Sequence, residues 1–221
     1  MNPATAMKRQ PAPRVSWLFQ VLLIAAAALA IRFVIVYAMP YWSFNRQVFD
    51  DSFWQRRYGL LMHLSGGIVA ILTGVVQLWL GETRRALRWH RRLGMAYVAG
   101  VTVGSAGGFY LSLTTPNVGW VYSSGLFGLA CAWTLTTGMA YLAIRRRLIE
   151  QHREWMIRSY VVTLAFVFYR LFTEVAAQMH LGTDNERSTA AAWLCWGVPL
   201  MLAEPLIQLR KFRPKSRHAE A

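Results

Sequence analysis

The chain predicts an all-α integral membrane protein, a bundle of six transmembrane helices with spans two to five as its core. Three observations carry that expectation. Of 221 residues, 55% are hydrophobic and only 15% are charged, whereas soluble domains carry about a quarter charged residues. Six apolar runs recur along the chain, each of about 20 residues, the length that crosses ~30 Å of hydrocarbon. The basic residues, which bring the net charge to +14, fall almost entirely between those runs. A mean hydropathy of +0.29 agrees.

Residues 1–15 form a basic tail with Lys8, Arg9 and Arg14, and the membrane domain is expected over 16–209. The first span runs from Ser16 to about Met39, apolar except for Gln20 and Arg32. A cleaved signal peptide has a shorter apolar core and a small-residue cleavage site, so this reads as a retained helix. Tyr41 to Arg57 is a polar, aromatic loop carrying Asp50, Asp51 and Trp54. The second span covers Tyr58 to Leu80, and Gly81 to Arg92 is a compact basic turn. Spans three to six cover Leu93 to about Leu113, Trp120 to Ile144, Ser159 to Gln178 and Ala190 to Leu209. A second basic tail, 210–221, closes the chain, and His218 belongs to it.

Six spans put both termini on one side, and the charges say which. The two tails, the second–third loop and the fourth–fifth loop hold 18 of the 24 Lys and Arg residues. The opposite loops hold only Arg46, Arg56, Arg57 and Arg187, together with four acids. By the positive-inside rule both termini are cytoplasmic, as in a multi-pass protein of a bacterial inner membrane. The same distribution argues against nucleic acid as a partner. The basic loops act as topology determinants and meet anionic lipid at the cytoplasmic face. Cys131 and Cys195 lie inside apolar runs and read as small core hydrophobes. Trp54, Trp79, Trp89, Trp120 and Trp155 fall near span ends, as interfacial anchors do.

Polar groups within the spans are where function is sought, because hydrocarbon makes them costly. On the ~1.5 Å rise per residue, Arg32, His63, Arg170 and Glu174 all lie in the outer half of the bilayer. Arg170 and Glu174 are one helical turn apart and can pair. The four are either an internal ion pair with an arginine snorkelling outward, or an outer polar pocket whose excess positive charge suits a carboxylate or propionate. At the cytoplasmic face, His90 and His152 have similar depths, and each is followed by arginine. Two imidazoles at one depth on adjacent helices can be axial ligands of a b-type haem, with Arg91, Arg92, Arg153 or Arg158 meeting propionates. His63 has only His180 as a potential outer partner, at a depth differing by roughly 12 Å on the same rise. In the third span Gly100, Gly104 and Gly108 share one bare helix face. That face serves close helix packing or seats a flat cofactor. Glu204-Pro205 in span six reads as structural, with the basic tail offering partners to Glu204. No phosphate-cradling loop, zinc cysteine pair or nucleophile–base arrangement is present, so enzymatic activity is left open.

His90-Arg-Arg-Leu-Gly-Met-Ala-Tyr97 fits H-R-x-x-G-x-x-Y, and His152-Arg-Glu-Trp-Met-Ile-Arg-Ser-Tyr160 fits H-R-x-W-M-x-R-S-Y. With His63-Leu-Ser-Gly-Gly67 upstream, residues 55 to 175 resemble a family of predicted bacterial multi-pass membrane proteins whose shared domain has no assigned function. The resemblance implies a common membrane domain in which the positions of His63, His90, His152, Arg158 and Arg170 are motif positions. It implies no activity. In architecture alone the chain is similar to transmembrane b-type cytochromes and ferric-reductase-like membrane proteins. It departs from them in lacking a clean second outer histidine. The expectation is a membrane redox protein with at least one b-type haem. The alternative is a non-redox protein that binds a lipid, quinone or small anion in the outer pocket, or serves as an assembly partner.

Overall fold

A computed structural model of the chain describes residues 17–84, 86–115 and 119–211. The basic tail expected at 1–15, and that expected from 212 onward, lie outside these residues. Helix accounts for nearly all of the described chain, and among the described residues there is no strand. Helix α1 (Trp17–Phe33) continues through a π turn, Val34–Ala38, into a 3-10 turn, Met39–Ser43. Pro40 supplies the physical reason. It has no N–H to give the carbonyl one turn back, and its ring crowds that carbonyl. The helix widens instead, and the Met39 N–H bonds the Val34 carbonyl five residues back. Ala30, Val34 and Ala38, spaced by four, form the narrow buried stripe of this first span, while Leu22, Ile24, Ile31 and Ile35 remain exposed toward lipid.

The polar loop expected over 41–57 is largely helical. Asn45 caps α2 (Arg46–Gln55) by accepting the Gln47 N–H at 3.0 Å. Phe49 is fully buried there and packs with Leu60, Leu61 and Tyr41 in a small second core. The spanning helices are α3 (Arg57–Thr83), α4 (Leu87–Thr114), α5 (Trp120–Arg145) and α8 (Asp184–Lys211), with α6 (Ile149–Thr163) and α7 (Ala165–Gln178) between α5 and α8. Five helices, that of the first span included, are long and apolar enough to cross a membrane, and the α6–α7 pair, bent by 42°, brings the number to six if the pair is one broken span.

Span six and the two spans that follow basic loops, three and five, start helically well before their apolar runs do. An apolar run reports the hydrocarbon thickness, whereas a helix continues wherever its ends are satisfied. At α8 that satisfaction is a capping box. Thr183 Oγ1 accepts the Glu186 N–H at 3.3 Å, and Glu186 accepts the Thr183 N–H at 2.7 Å. The fifth span is not one straight helix. At Thr163 the hydroxyl donates to the Ser159 carbonyl at 2.9 Å, a back-bond that bends helices, and the chain breaks at Leu164. α8 continues through both Pro199 and Pro205.

The glycine face of α4 packs against protein. α3 lies on it so closely that a Cβ at Gly66 would sit 2.3 Å from the Gly104 nitrogen. At Gly104 itself a Cβ would lie 2.8 Å from the Trp133 ring. This is close helix–helix packing through small residues, and it brings α3 and α4 near enough for side chains to bond across. At Gly100 and Gly104 the face is therefore covered by protein, while Gly108 borders a cavity.

Candidate functional site

Where the α3–α4 pair meets α5 and the α6–α7 bend, the packing leaves a cavity of about 260 Å³. Its walls are mostly apolar, and the π turn and α2 close over it with Phe33, Tyr37, Tyr41 and Phe53. The cavity sits toward the end of the bundle that carries α2, opposite the end with the basic loops. His63 on α3, Ser105 on α4, Trp133 on α5 and Thr163 at the bend all line it.

His63 is held in one orientation. A carbonyl only accepts, so Nδ1 carries the proton that bonds the Gly104 oxygen at 2.8 Å. Trp133 and Phe166 stand edge-on to the imidazole, with ring centroids 6.2 and 5.7 Å away. Nε2 is left as a lone-pair acceptor, without a hydrogen-bond partner among the described residues. Ser105 is its counterpart. The residue is 3% exposed, and Oγ is buried with no hydrogen-bond partner among the described residues. A helical serine ordinarily donates to a carbonyl one turn back; this one does not.

Next to the cavity lies a buried hydroxyl network. Thr163 receives the Trp133 indole N–H at 2.8 Å and the Tyr97 hydroxyl at 2.8 Å, while Ser159 meets Tyr97 at 2.6 Å and Thr137 at 2.7 Å. Because Thr163 already donates to Ser159, it accepts from Tyr97, which fixes the direction of the chain. The network ties α4, α5 and α6 together, and it explains why Ser159, Tyr160 and Thr163 are almost fully buried in a motif that begins at the basic face.

The four residues expected as an outer polar pocket are only partly brought together. His63 and Arg170 line the cavity, whereas Arg32 and Glu174 form an ion pair, 3.6 Å apart, at its edge. The Arg170–Glu174 pair allowed by their spacing is replaced. Tyr37, carried by the π turn, donates its hydroxyl to Glu174, and its ring lies 4.9 Å from the Arg170 guanidinium and 5.7 Å from that of Arg32. Sequence spacing could not show this, because a π turn rotates Tyr37 out of the α-helical register. In unfolding measurements in detergent, a double-mutant cycle of Tyr37→Phe with Glu174→Gln is expected to give coupling of about 1 kcal/mol. Arg170→Leu with Glu174→Gln is expected to be additive to within about 0.5 kcal/mol. Arg56, expected in a loop, is 7% exposed and lines the cavity at its α2 end. It donates to the Ser52 carbonyl at 3.0 Å and to the Thr115 hydroxyl at 3.2 Å.

At the other end of the bundle, His90 and His152 lie in the first turns of α4 and α6 and are near enough to feel each other's charge. His152 donates Nδ1–H to the Ala140 carbonyl at 2.9 Å, which leaves its Nε2 free. His90 packs its ring beside Gly81, with Nδ1 buried and without a hydrogen-bond partner among the described residues. The expected arginines are differently employed. Arg158 makes a fork to Glu204 at 2.7 and 3.0 Å and reaches Glu154 at 3.8 Å, and Arg153 is paired with Glu82. Glu204 is therefore held by Arg158, and Lys211 of α8 binds Glu154 at 3.0 Å. Arg91 and Arg92 are exposed, and Arg92 lies 5.6 Å from the Trp89 ring. His180 sits exposed in the turn after α7, in a left-handed conformation at φ 54°, and does not line the cavity with His63. Among the described residues, no three His, Cys, Asp or Glu side chains gather as a metal site.

Residues 60–207 match the family described as "Predicted membrane protein (DUF2306)". No curated protein and no solved structure matches the chain. The match takes in α8 as well as the motifs on α3, α4 and α6, so the common domain is longer than those motifs indicate, and it leaves α1 and α2 outside. The chain belongs to this family of membrane proteins.

Proposed function

We propose that this member of the family binds a lipid-soluble molecule with a polar head in the cavity beside His63, and that its basic face is cytoplasmic in a bacterial inner membrane. The cavity carries the reading. It is mostly apolar, it is walled by four helices, and a small number of polar groups converge on it. Ligand sites have that composition. The α2 end of the cavity, lined by Tyr37, Arg56 and Arg170, faces the outer side under the positive-inside rule. Binding is a non-redox role in this reading.

Gly67 provides the test, because it lines the cavity and a Cβ there meets nothing within 4 Å. Gly67→Leu should fold, with a thermal midpoint at or above that of the parent, since a mid-helix glycine costs about 1 kcal/mol. It should also fill the cavity. Calorimetric titration of the detergent-solubilised protein with 4-decylanisole should be saturable for the parent and absent for Gly67→Leu. Identical isotherms for the two would overturn the proposal.

A b-type haem between His90 and His152 is the second reading, and the free Nε2 of His152 is the observation that favours it. Its Nδ1–H bond to a backbone carbonyl is how ligating imidazoles are commonly oriented. Against it, the glycine face is filled by α3 and Trp133, and Arg153 and Arg158 are bound to carboxylates. A reduced-minus-oxidised optical spectrum of protein expressed with adequate haem decides it, and a spectrum without haem bands removes this reading.

A further inference from the structure

The cavity holds one unmet acceptor and one unmet donor, and that pair selects a ligand head. Nε2 of His63 has a lone pair and no donor, because Nδ1 is committed to Gly104. Ser105, 3% exposed, has an Oγ hydrogen to give and no acceptor among the described residues. Leaving a buried polar atom such as Ser105 Oγ unpaired is unfavourable, and such orphans are rare enough to call for an explanation, whereas His63 is half-buried at the cavity wall. Both residues line the same cavity. One hydroxyl would answer both, donating its hydrogen to Nε2 and accepting from Ser105 through its oxygen.

The rest of the wall bears on what carries that hydroxyl. Phe33, Tyr41, Phe53, Tyr122, Trp133 and Phe166 contribute aromatic rings to the lining, and His63 adds its imidazole. Rings of this kind favour a flat aromatic partner through edge-to-face and offset contacts. Trp133 and Phe166 are also the two that fix the imidazole, so the acceptor is oriented before any ligand arrives. Arg170 is drawn over Tyr37, and Arg56 is engaged by Ser52 and Thr115. Neither is needed to satisfy the hydroxyl.

We infer that the cavity recognises a lipid-soluble phenol or quinol, with His63 Nε2 accepting from its hydroxyl and Ser105 Oγ donating to it. This rests on the cavity being a ligand site, as proposed above, and adds the chemistry of the head. No covalent or redox step is involved. A hydroxylated aromatic head on an apolar tail would bind with its ring among the aromatic side chains.

The experiment compares three probes on the full chain in detergent: 4-decylphenol, its methyl ether 4-decylanisole, and 1-hexadecanol, which has the same carbon count as the phenol. The ether keeps an oxygen that can accept from Ser105 and lacks only the hydrogen for Nε2, so one hydrogen bond of ordinary net strength predicts about fivefold tighter binding of the phenol than of the ether. The phenol should also bind more tightly than the alkanol. In His63→Asn the affinity for the phenol should fall to that for the ether, whose own affinity stays within about twofold, whereas in Ser105→Ala, which removes the donor to the oxygen both probes carry, both should weaken together by about fivefold. Asparagine keeps a donor near the Nδ1 position for the Gly104 carbonyl and removes Nε2. Ser105→Ala removes an unpaired group and should not harm folding. Equal binding of phenol and ether, or of phenol and alkanol, would overturn the inference and leave the cavity as a site. Persistence of the phenol's preference in His63→Asn, or unchanged affinity for both probes in Ser105→Ala, would also overturn it. Failure of every probe to distinguish the parent from Gly67→Leu would instead overturn the cavity reading itself.

Discussion

Gly66→Ala is expected to lose most of its folded, monodisperse protein, and Gly66→Leu all of it. The reason is what the added carbon meets. It would lie 2.3 Å from the Gly104 nitrogen, 2.4 Å from the Gly100 oxygen and 2.6 Å from the Gly104 Cα. These are backbone atoms of a neighbouring helix, so no rotamer change relieves the clash and α3 must move away from α4. Overpacking against side chains costs about 1–3 kcal/mol; against backbone on three sides the cost exceeds that range. The separation would also pull the Gly104 carbonyl from His63 and Trp133 from its place over Gly104. Gly138→Ala is the matched control, because a Cβ there meets nothing within 4 Å. It should be neutral, or stabilising by up to about 1 kcal/mol from helix propensity. Elution profile and thermal midpoint in detergent measure both. A Gly66→Ala protein as stable as the parent would contradict the close contact.

The second large effect is expected at Arg158. Its guanidinium binds Glu204 of α8 with a fork and also faces Glu154, while its other side lies 4.9 Å from the Trp155 ring. The Arg158 side chain is 14% exposed and that of Glu204 is 45% exposed. Arg158→Leu leaves two carboxylates near each other without their shared cation. Breaking a fully buried pair costs 3–5 kcal/mol; the exposure of Glu204 brings the expected loss down to about 2 kcal/mol. Removing the second partner as well, in Arg158→Leu with Glu204→Leu, should recover more than half of it, because uncompensated charge is the chief penalty. Chemical unfolding in detergent measures the series. Equal stability of the single and double variants would show that the fork contributes only packing.

The class of the protein was legible from the chain because hydrocarbon imposes length and charge rules that act on runs of residues. The basic loops, the five or six candidate spans and the placing of His63 and Arg170 toward the bundle end opposite those loops accord with those rules. The interior was less legible. The glycine repeat on α4 announced a close contact, but only Gly66 opposite it shows that α3 fills that face. The Arg170–Glu174 spacing is correct for a pair, yet the π turn at Val34–Ala38, set up by Pro40, delivers Tyr37 to Glu174 instead. Ser105 gives no signal in sequence, since a serine in an apolar helix ordinarily satisfies itself on its own backbone. Arg56 looks like an interfacial arginine until α2 folds over it. The bend at Leu164 also escapes an apolar-run reading, because Thr163 is apolar enough to pass within a span while its hydroxyl serves Tyr97, Trp133 and Ser159.

The most direct test of the cavity as a ligand site is to map where a ligand attaches. A diazirine-bearing 4-decylphenol, photoactivated on the detergent-solubilised protein, should label peptides containing His63, Ser105, Trp133 or Phe166, as read by peptide mass spectrometry. Excess unlabelled 4-decylphenol should suppress that labelling, and Gly67→Leu should abolish it. Labelling confined to lipid-facing positions such as Leu72 and Leu135, which are 46% and 65% exposed, and insensitive to competitor, would contradict the account.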